Sequence, residues 1–352
     1  MQTEAWVLQK NKNQKLQKKR INLKSLKENE VLLSTKYLCL EGNYTHALEG
    51  KPQDLFKFRN EDEIILGNSG VVMVEKCGSQ VTSVSPGDVC ILFCNGVSDD
   101  LGYPKYITAY DKVNSMGTFS KKLVLNEKEV LKIPKNSKFS LKQWAAFSLK
   151  FITAWSNWQV AYKAWKIQNE NSEISDNKYV FSWGGGVGLA ELKLAKLYGF
   201  NACLITSSPK VSAEAEKHNI QTINRLNGNQ HIVNQINKLT NEKGANIFID
   251  NIGVSTLKTT LKCMSREGVL TTSGWKSGGL LPISRPYACQ NRHLHVYTHY
   301  ATYEEGKNAM KFAIENSWMP EIHNVLCWEE LPEILLKYNS GELKDYYTVV
   351  KV

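Results

Sequence analysis

The chain has 352 residues, 42% hydrophobic and 22% charged, an ordinary globular composition long enough for two hydrophobic cores and unlike a disordered or fibrous chain. Lys and Arg outnumber Asp and Glu by 44 to 34, for a net charge of +10. No apolar run is long enough to span a bilayer, the opening Met1-Gln2-Thr3-Glu4-Ala5-Trp6 lacks a signal peptide's basic-then-apolar layout, and the eight cysteines include no C-x-x-C pair, so we expect free thiols in a reducing cytoplasm rather than a zinc ribbon or a disulfide framework.

In chain order, the first notable segment is basic. Residues 10–27 carry much of the excess charge, with Lys15, Lys18, Lys19 and Arg20 crowded together. Two readings stay open: a solvated hairpin tip, or a landing surface for a carrier protein, a phosphorylated substrate or nucleic acid. No interleaved aromatics support stacking on a single strand. Residues 30–35 and 64–75 are β-rich, and Ser85-Pro86-Gly87-Asp88 reads as a turn before a strand at 89–93. Residues 95–116 read as a long loop that shapes a pocket.

From about residue 140 the pattern changes. Residues 141–166 read as one or two helices, with Trp144, Trp155, Trp158 and Trp165 mostly in the core. Strands and helices then alternate: strands at 179–183, 202–206, 246–250 and 268–273, helices at 187–198 and 212–218, with Gly199 as a helix stop. This alternation predicts a parallel sheet covered by helices on both faces, an α/β doubly wound fold. A helix at 304–314 and a strand at 346–352 close the chain, the strand pairing back with the first domain.

The most informative stretch is Tyr179-Val180-Phe181-Ser182-Trp183-Gly184-Gly185-Gly186-Val187-Gly188. A strand enters a glycine cluster and a helix leaves it. Glycines permit a tight turn and a close approach to a ligand, and the helix N-terminus favours a phosphate. We take Gly184, Gly185, Gly186, Val187 and Gly188 as cofactor-binding. Trp183 stands where a G-x-G-x-x-G pattern has its first glycine, which reads as a shorter or tighter loop. The next strand ends in Thr206-Ser207-Ser208-Pro209-Lys210, with no carboxylate before Glu214. An acid there would hold the ribose 2′-hydroxyl of NADH, whereas hydroxyls and a lysine accept a 2′-phosphate. NADPH is therefore expected, held by Ser207, Ser208 and Lys210, with Arg225 as a second candidate.

These segments, together with Gly67-Asn68-Ser69-Gly70, Pro86-Gly87-Asp88, Phe151-Ile152-Thr153-Ala154-Trp155, Asp250-Asn251-Ile252-Gly253 and Ser273-Gly274-Trp275, resemble the medium-chain dehydrogenase/reductase superfamily. Asn43-Tyr44, Ser207-Ser208 and the stretch Thr298-His299-Tyr300 are similar to its crotonyl-CoA carboxylase/reductase and enoyl-thioester reductase branch. The loop before Gly117 lacks that branch's Phe-Glu pair, which favours simple reduction over carboxylation. The resemblance implies a β-rich GroES-like catalytic domain (1–135), a Rossmann NADPH-binding domain (136–300) and a C-terminal return to the first domain (301–352). It also implies a homodimer formed through a Rossmann edge strand near residues 294–298. Where zinc-dependent relatives carry a Cys and a Gly-His-Glu, this chain has Glu41 and Gly67-Asn68-Ser69, and the four-cysteine lobe is missing, so no metal is expected.

The resemblance places Tyr44, Asn43 and His46 on a loop facing the catalytic cleft and His299 near the nicotinamide. Tyr44 is a candidate proton donor or, alternatively, a packed aromatic. Thr153 is expected at the pyrophosphate, Asn251 and Gly253 beside the nicotinamide, and Lys276, after Gly274-Trp275, at the substrate or the phosphates. His293 and His295 read as structural. Three functional readings follow. The first is NADPH-dependent, zinc-independent reduction of an activated C=C bond in a small molecule or a thioester, carried on CoA or an acidic carrier protein. The second is reduction of a ketone or aldehyde. The third is a non-catalytic cofactor binder that holds nucleic acid or a protein through its basic hairpin.

Overall fold

The computed structural model describes residues 1–10, 16–169, 177–274, 282–297, 300–343 and 345–352. Lys15, Trp275, Lys276, Thr298 and His299, singled out above, lie outside the described residues. The chain divides into two compact units. One comprises Met1–Ile152, Tyr300–Leu343 and Tyr347–Val352, and the other Thr153–His299 and Lys344–Tyr346. The division falls inside a helix rather than ahead of it.

The first unit contains β1 (Gln2–Gln9), β2 (Leu16–Asn22), β3 (Glu30–Cys39), α1 (Tyr44–Glu49), α2 (Leu55–Arg59), β4 (Glu63–Ile64), β5 (Val71–Cys77), β6 (Val89–Leu92), β7 (Val97–Ser98), β8 (Pro104–Tyr106), β9 (Lys122–Asn126), β10 (Val130–Lys132) and the start of α3 (Leu141–Gln168). β1 and β2 form an antiparallel hairpin, as the basic segment suggests, with Ala5 opposite Lys19. β3 is the spine. It pairs with β5, β9 and later β18, and its residues are buried along most of its length, as a strand covered on both faces must be. The stretch 64–75 is broken into β4 and β5, and the loop 95–116 folds a short hairpin, β7 with β8.

The second unit takes the remainder of α3, then β11 (Tyr179–Trp183), α4 (Gly186–Leu197), β12 (Asn201–Thr206), α5 (Pro209–Lys217), β13 (Gln221–Asn224), α6 (Asn229–Leu239), β14 (Ala245–Ile249), α7 (Val254–Cys263), β15 (Met264–Thr272), α8 (Arg285–Asn291) and β16 (Leu294–Tyr297). Its strands lie in the order β13-β12-β11-β14-β15-β16, each pairing parallel. This is the doubly wound order, and it reverses between β11 and β14, where such sheets bind ligands beyond their carboxyl ends. The helices behave as their sequences require. Ser208 caps α5 by accepting from the Val211 N–H, with Pro209 at its first turn, a position that suits a residue lacking an N–H.

The chain then returns to the first unit with α9 (Tyr303–Asn316), β17 (Val325–Cys327), α10 (Leu331–Asn339) and β18 (Val349–Lys351). β18 pairs antiparallel with β3, Val349 opposite Cys39, so the tail closes the first domain's sheet. It is shorter than the apolar run 346–352 suggests, beginning only at Val349, and Tyr346 belongs to the second unit. Each unit has its own core. Leu33, Val72, Phe119 and Leu331 are among the buried residues of the first, and Phe181, Ile205, Ile236 and Phe248 of the second. Trp144, Trp158 and Trp165 are fully buried on α3; Trp155 is only partly so. Among the described residues, no helix is long and apolar enough to cross a membrane.

Candidate functional site

In the second unit the site is the turn between β11 and α4. Gly185 sits at the N-cap of α4 with φ 148° and no side-chain cap, a backbone conformation that disfavours any residue with a Cβ. Nothing lies within 4 Å of where its Cβ would be. At Gly185 the turn therefore opens onto free space at the start of α4, which is what a dinucleotide's pyrophosphate needs, while Gly184 faces the Tyr346 hydroxyl. Gly188 is required for a different reason: a Cβ there would run into Ser182 Oγ and come within 3.0 Å of the Trp183 carbonyl, so α4 packs directly on β11. Trp183 does not tighten the loop. Its indole turns into the core, where Nε1 donates to Thr260 Oγ1 at 2.8 Å and the ring lies 6.1 Å from Phe248. The turn itself is left to Gly184 and Gly185.

At the end of β12, Thr206 Oγ1 accepts from the Ser208 N–H at 3.2 Å. Ser207 and Lys210 are exposed, and so is Arg225, whose guanidinium lies 5.8 Å from the Trp183 ring centre. Ser208 both caps α5 and remains partly exposed, so capping and phosphate binding are compatible. Asn251 follows β14, and its Oδ1 accepts from the Ser273 N–H and Oγ, both at 3.0 Å. Gly274 approaches the Asn251 carbonyl too closely for any side chain. Gly253 starts α7 and donates its N–H to Asp250 at 3.0 Å. Thr153 is buried on α3.

Sequence reasoning passed over Glu191. It lies on α4, fully buried, and the Asn251 amide donates to its Oε2 at 3.4 Å. Burial pushes its carboxyl up to about 8, against smaller pulls from Asn157 and Asn251. It is therefore a protonated acid at neutral pH. The signal was its setting, between Leu189-Ala190 and Leu192 on a helix apolar on most sides.

In the first unit the residues flagged as departures from a zinc site converge. Glu41 follows β3, and its Oε2 lies 2.7 Å from the Lys150 ammonium on α3. Lys150 also donates to the Leu40 carbonyl at 2.7 Å and reaches Cys39 Sγ at 3.4 Å. All three side chains are buried. Burial opposes the charge on Lys150, but Cys39 and Glu41 outweigh it and its pKa rises. Burial pushes the Glu41 carboxyl up while Lys150 pulls against it, and an ammonium at 2.7 Å makes this a charge-assisted hydrogen bond. Burial pushes the Cys39 thiol up to about 12. Ser69 donates to the Cys39 carbonyl at 2.8 Å. Asn68 is fully buried, and neither its Nδ2 nor its Oδ1 has a hydrogen-bond partner among the described residues.

Tyr44 opens helix α1 rather than lying on a loop, and its ring is buried edge-on to Phe119 at 5.2 Å. Its hydroxyl points inward, 3.4 Å from the Cys39 carbonyl, and burial raises its pKa well above that of a free phenol. His46 is buried too, its Nδ1 3.0 Å from the Tyr110 hydroxyl. Asn43 is the N-cap of α1 but makes no side-chain cap, and its buried Oδ1 lacks a partner among the described residues. Thus Asn43, Tyr44, Glu41, Ser69 and Lys150 belong to one cluster around the end of β3. Lys150 was missed, although it interrupts the apolar run Ala145-Ala146-Phe147 to Phe151-Ile152. His293 and His295 lie side by side, rings 6.2 Å apart, and burial lowers both pKa values.

Zinc would need several soft or imidazole donors at one place. Among the described residues no group of three or more His, Cys, Asp and Glu side chains is so placed, and at Glu41 a lysine ammonium already occupies the carboxylate. The donor set does not fit the metal.

The fold and the glycine turn define a two-unit α/β protein with a Rossmann-type dinucleotide site. Comparison with known proteins agrees. Residues 27–135 match the alcohol dehydrogenase GroES-like domain, and residues 186–315 the zinc-binding dehydrogenase family. A quinone oxidoreductase of Pseudomonas aeruginosa is 25% identical over 66% of this chain; the match spans 62% of that enzyme's length. Among solved structures, the 2-octenoyl-CoA carboxylase reductase CinF, in complex with NADP and 2-octenoyl-CoA, superposes with a TM-score of 0.83 at 18% identity, covering 99% of this chain and 87% of that one. The alcohol dehydrogenase of Aeropyrum pernix superposes with a TM-score of 0.84 at 18% identity, covering 99% and 100%. The chain belongs to the medium-chain dehydrogenase/reductase superfamily.

Proposed function

We propose that the protein is an NADPH-dependent, metal-independent oxidoreductase that reduces an activated C=C bond in an enoyl thioester, enone or quinone-like acceptor. The observation that carries this reading is the buried Glu41–Lys150 pair. An ammonium stands against the carboxylate that a metal would need, so polarising the acceptor falls to hydrogen-bond donors. A conjugated acceptor suits such a site. As the β-carbon gains a hydride, the C=C electron pair moves onto the carbonyl oxygen, and a proton then completes the α-carbon. When bound, the nicotinamide supplies the hydride. Asn43, Tyr44 and Asn68 are the candidate donors. Tyr44 stays protonated far above neutral pH, so it serves as a donor rather than a base. His46, two residues on from Tyr44, is held by the Tyr110 hydroxyl at 3.0 Å.

The cofactor reading rests on the open turn at Gly185 and on the carboxylate-free strand end at Ser207, Ser208 and Lys210. The relatives' names agree with the acceptor class, one being a quinone oxidoreductase and another holding NADP and 2-octenoyl-CoA. The eight free cysteines, five of them buried and two exposed, suit a reducing cytoplasm. The half-exposed edge strand β16 is the surface through which two copies would pair, checked by light scattering for a particle of twice 39.9 kDa.

The test is NADPH oxidation with crotonyl-CoA, 2-octenoyl-CoA and a quinone, with the product identified by mass spectrometry. Saturated thioester or quinol is expected. An alcohol as the product moves the assignment to C=O reduction, and no turnover across the panel overturns the reading. Lys210→Ala should weaken NADPH about tenfold, the loss of one charge-assisted hydrogen bond, and spare NADH.

A further inference from the structure

The strand end after β12 has no carboxylate of its own, but the fold brings one there. Asp345, which precedes β18 by only a few residues, packs within the second unit, and its Oδ1 lies 2.5 Å from Lys210 Nζ. The neighbouring residue reaches the glycine turn itself. The Tyr346 hydroxyl lies 3.5 Å from Thr206 Oγ1 and would be 2.6 Å from a Cβ placed on Gly184. Two adjacent residues from the end of the chain thus occupy the two places where a dinucleotide would set its charge: the helix N-terminus after β11 and the lysine after β12.

We propose that Asp345 is a specificity-determining residue for the cofactor, competing with the adenosine 2′-phosphate for Lys210 and so setting how strongly the phosphorylated dinucleotide is preferred. The inference rests on the NADPH reading above. A 2′-phosphate brings close to two negative charges at neutral pH, and a carboxylate 2.5 Å from the same ammonium opposes it directly, since like charges sharing a site disfavour each other's ionised form. NADH, with a neutral 2′-hydroxyl, meets no such repulsion and can donate a hydrogen bond to the carboxylate. Asp345 is thus the counterpart of the acidic residue that NADH-binding sheets carry at this strand end, delivered by the tail instead of by β12. With Lys210 half exposed and Asp345 about a quarter exposed, the pair is accessible to a ligand and movable. The Tyr346 ring, anchored on the glycine turn, keeps the carboxylate in place.

The experiment is binding of NADPH, NADH, 2′,5′-ADP and 5′-AMP to the full chain, followed by fluorescence or calorimetry, for wild type, Asp345→Asn, Lys210→Ala and the double variant. Asp345→Asn should tighten NADPH and 2′,5′-ADP by about fivefold or more, the lower range of ordinary coupling between two sites, without tightening NADH or 5′-AMP. The gain should vanish in the Lys210→Ala background. Asp345→Ser, which removes the charge without a like-sized amide, should give the same result. If Asp345→Asn and Asp345→Ser leave NADPH binding unchanged while Lys210→Ala weakens it, the inference is overturned and the NADPH reading stands. If Lys210→Ala changes nothing, or wild type and Asp345→Asn alike bind NADH more tightly than NADPH, both are overturned.

Discussion

Lys150 holds a charge where no water can. Replacing it with methionine would keep most of its volume on α3 but leave Glu41 buried with no counter-charge. Removing one member of a buried ion pair typically costs about 3–5 kcal/mol, so Lys150→Met should lower the urea midpoint of the first unit sharply. Removing both charges at once, as in Glu41→Leu with Lys150→Met, should restore most of the loss, because an apolar pair of similar volume needs no compensation. A double variant as unstable as the single one would show that the pair is not the cause. Glu191 gives a pH signature in the second unit. Its carboxyl titrates near 8 when folded against 4.5 as the reference value. Between those pH values the folded chain holds a proton that the unfolded chain has released, so stability is fully present below the lower value and is lost as pH rises through the upper one. The slope is about 1.4 kcal/mol per pH unit across that window. Glu191→Gln removes it, so the wild-type thermal midpoint should fall relative to the variant's from pH 5 to pH 8. Parallel curves would contradict the assignment. Both residues were invisible to a reading that looks for motifs, because single charges on helices are ordinarily solvated. What set them apart was an apolar helix face on both sides.

At the scale of elements, the junction of β11 with α4 is where sequence determines structure most tightly. A Cβ on Gly188 would meet Ser182 Oγ and the Trp183 carbonyl, and Ser182 Oγ is itself held by a 2.9 Å hydrogen bond to that carbonyl. Gly188→Ala should therefore push α4 off the strand, lowering the thermal midpoint by an overpacking cost of about 1–3 kcal/mol and weakening dinucleotide binding. Pairing it with Ser182→Ala removes the nearest obstacle and should recover part of the loss; no recovery would locate the constraint elsewhere. This junction was legible because a strand, four glycines and a helix follow one another in the chain, and local order needs only local residues. The alternation that follows was legible in part: β12, α5, β14 and β15 were, while the short β13 and the helices α6 and α7 were not, and together they build the parallel order of six strands. The strand at 346–352 was legible as an apolar run, but its first residue was not. Tyr346 turns to the glycine turn, far away in sequence, and nothing in the run itself announces that contact. The polar cluster around Glu41 was legible in four of its members: Glu41 and Ser69, because they stand where a zinc enzyme has donors, and Asn43 and Tyr44, through the resemblance. Its fifth, Lys150, arrives from α3, and only the packing of that helix against β3 reveals it.

For the whole molecule, the question left by the sequence is where a net charge of +10 goes. The basic segment 10–27 is its densest stretch, and four of its described lysines face carboxylates. Lys10 faces Asp62 at 3.7 Å, Lys18 faces Glu329 at 2.7 Å, Lys19 faces Glu63 at 2.5 Å and Lys24 faces Glu30 at 2.5 Å. Lys18 and Lys121 also lie over the Trp328 ring, at 5.1 and 4.9 Å from its centre. A surface built to bind nucleic acid presents cations free to replace condensed counter-ions on phosphates, and each contact steepens the salt dependence of binding by nearly one unit on a logarithmic plot. Here each of those cations would first have to leave a carboxylate of its own chain, and the gain from releasing counter-ions would be offset by the ion pair lost. Surface pairs are individually weak, about 0–1 kcal/mol, so a single one would not stop a phosphate; several clustered on one segment offset the charge of those lysines together. Binding to single-stranded RNA, measured from 50 to 200 mM salt, should accordingly be weak and show a shallow slope, and Lys18→Ala with Lys19→Ala should leave it unchanged. A steep slope that those substitutions flatten would return the hairpin to the role of a polyanion-binding surface.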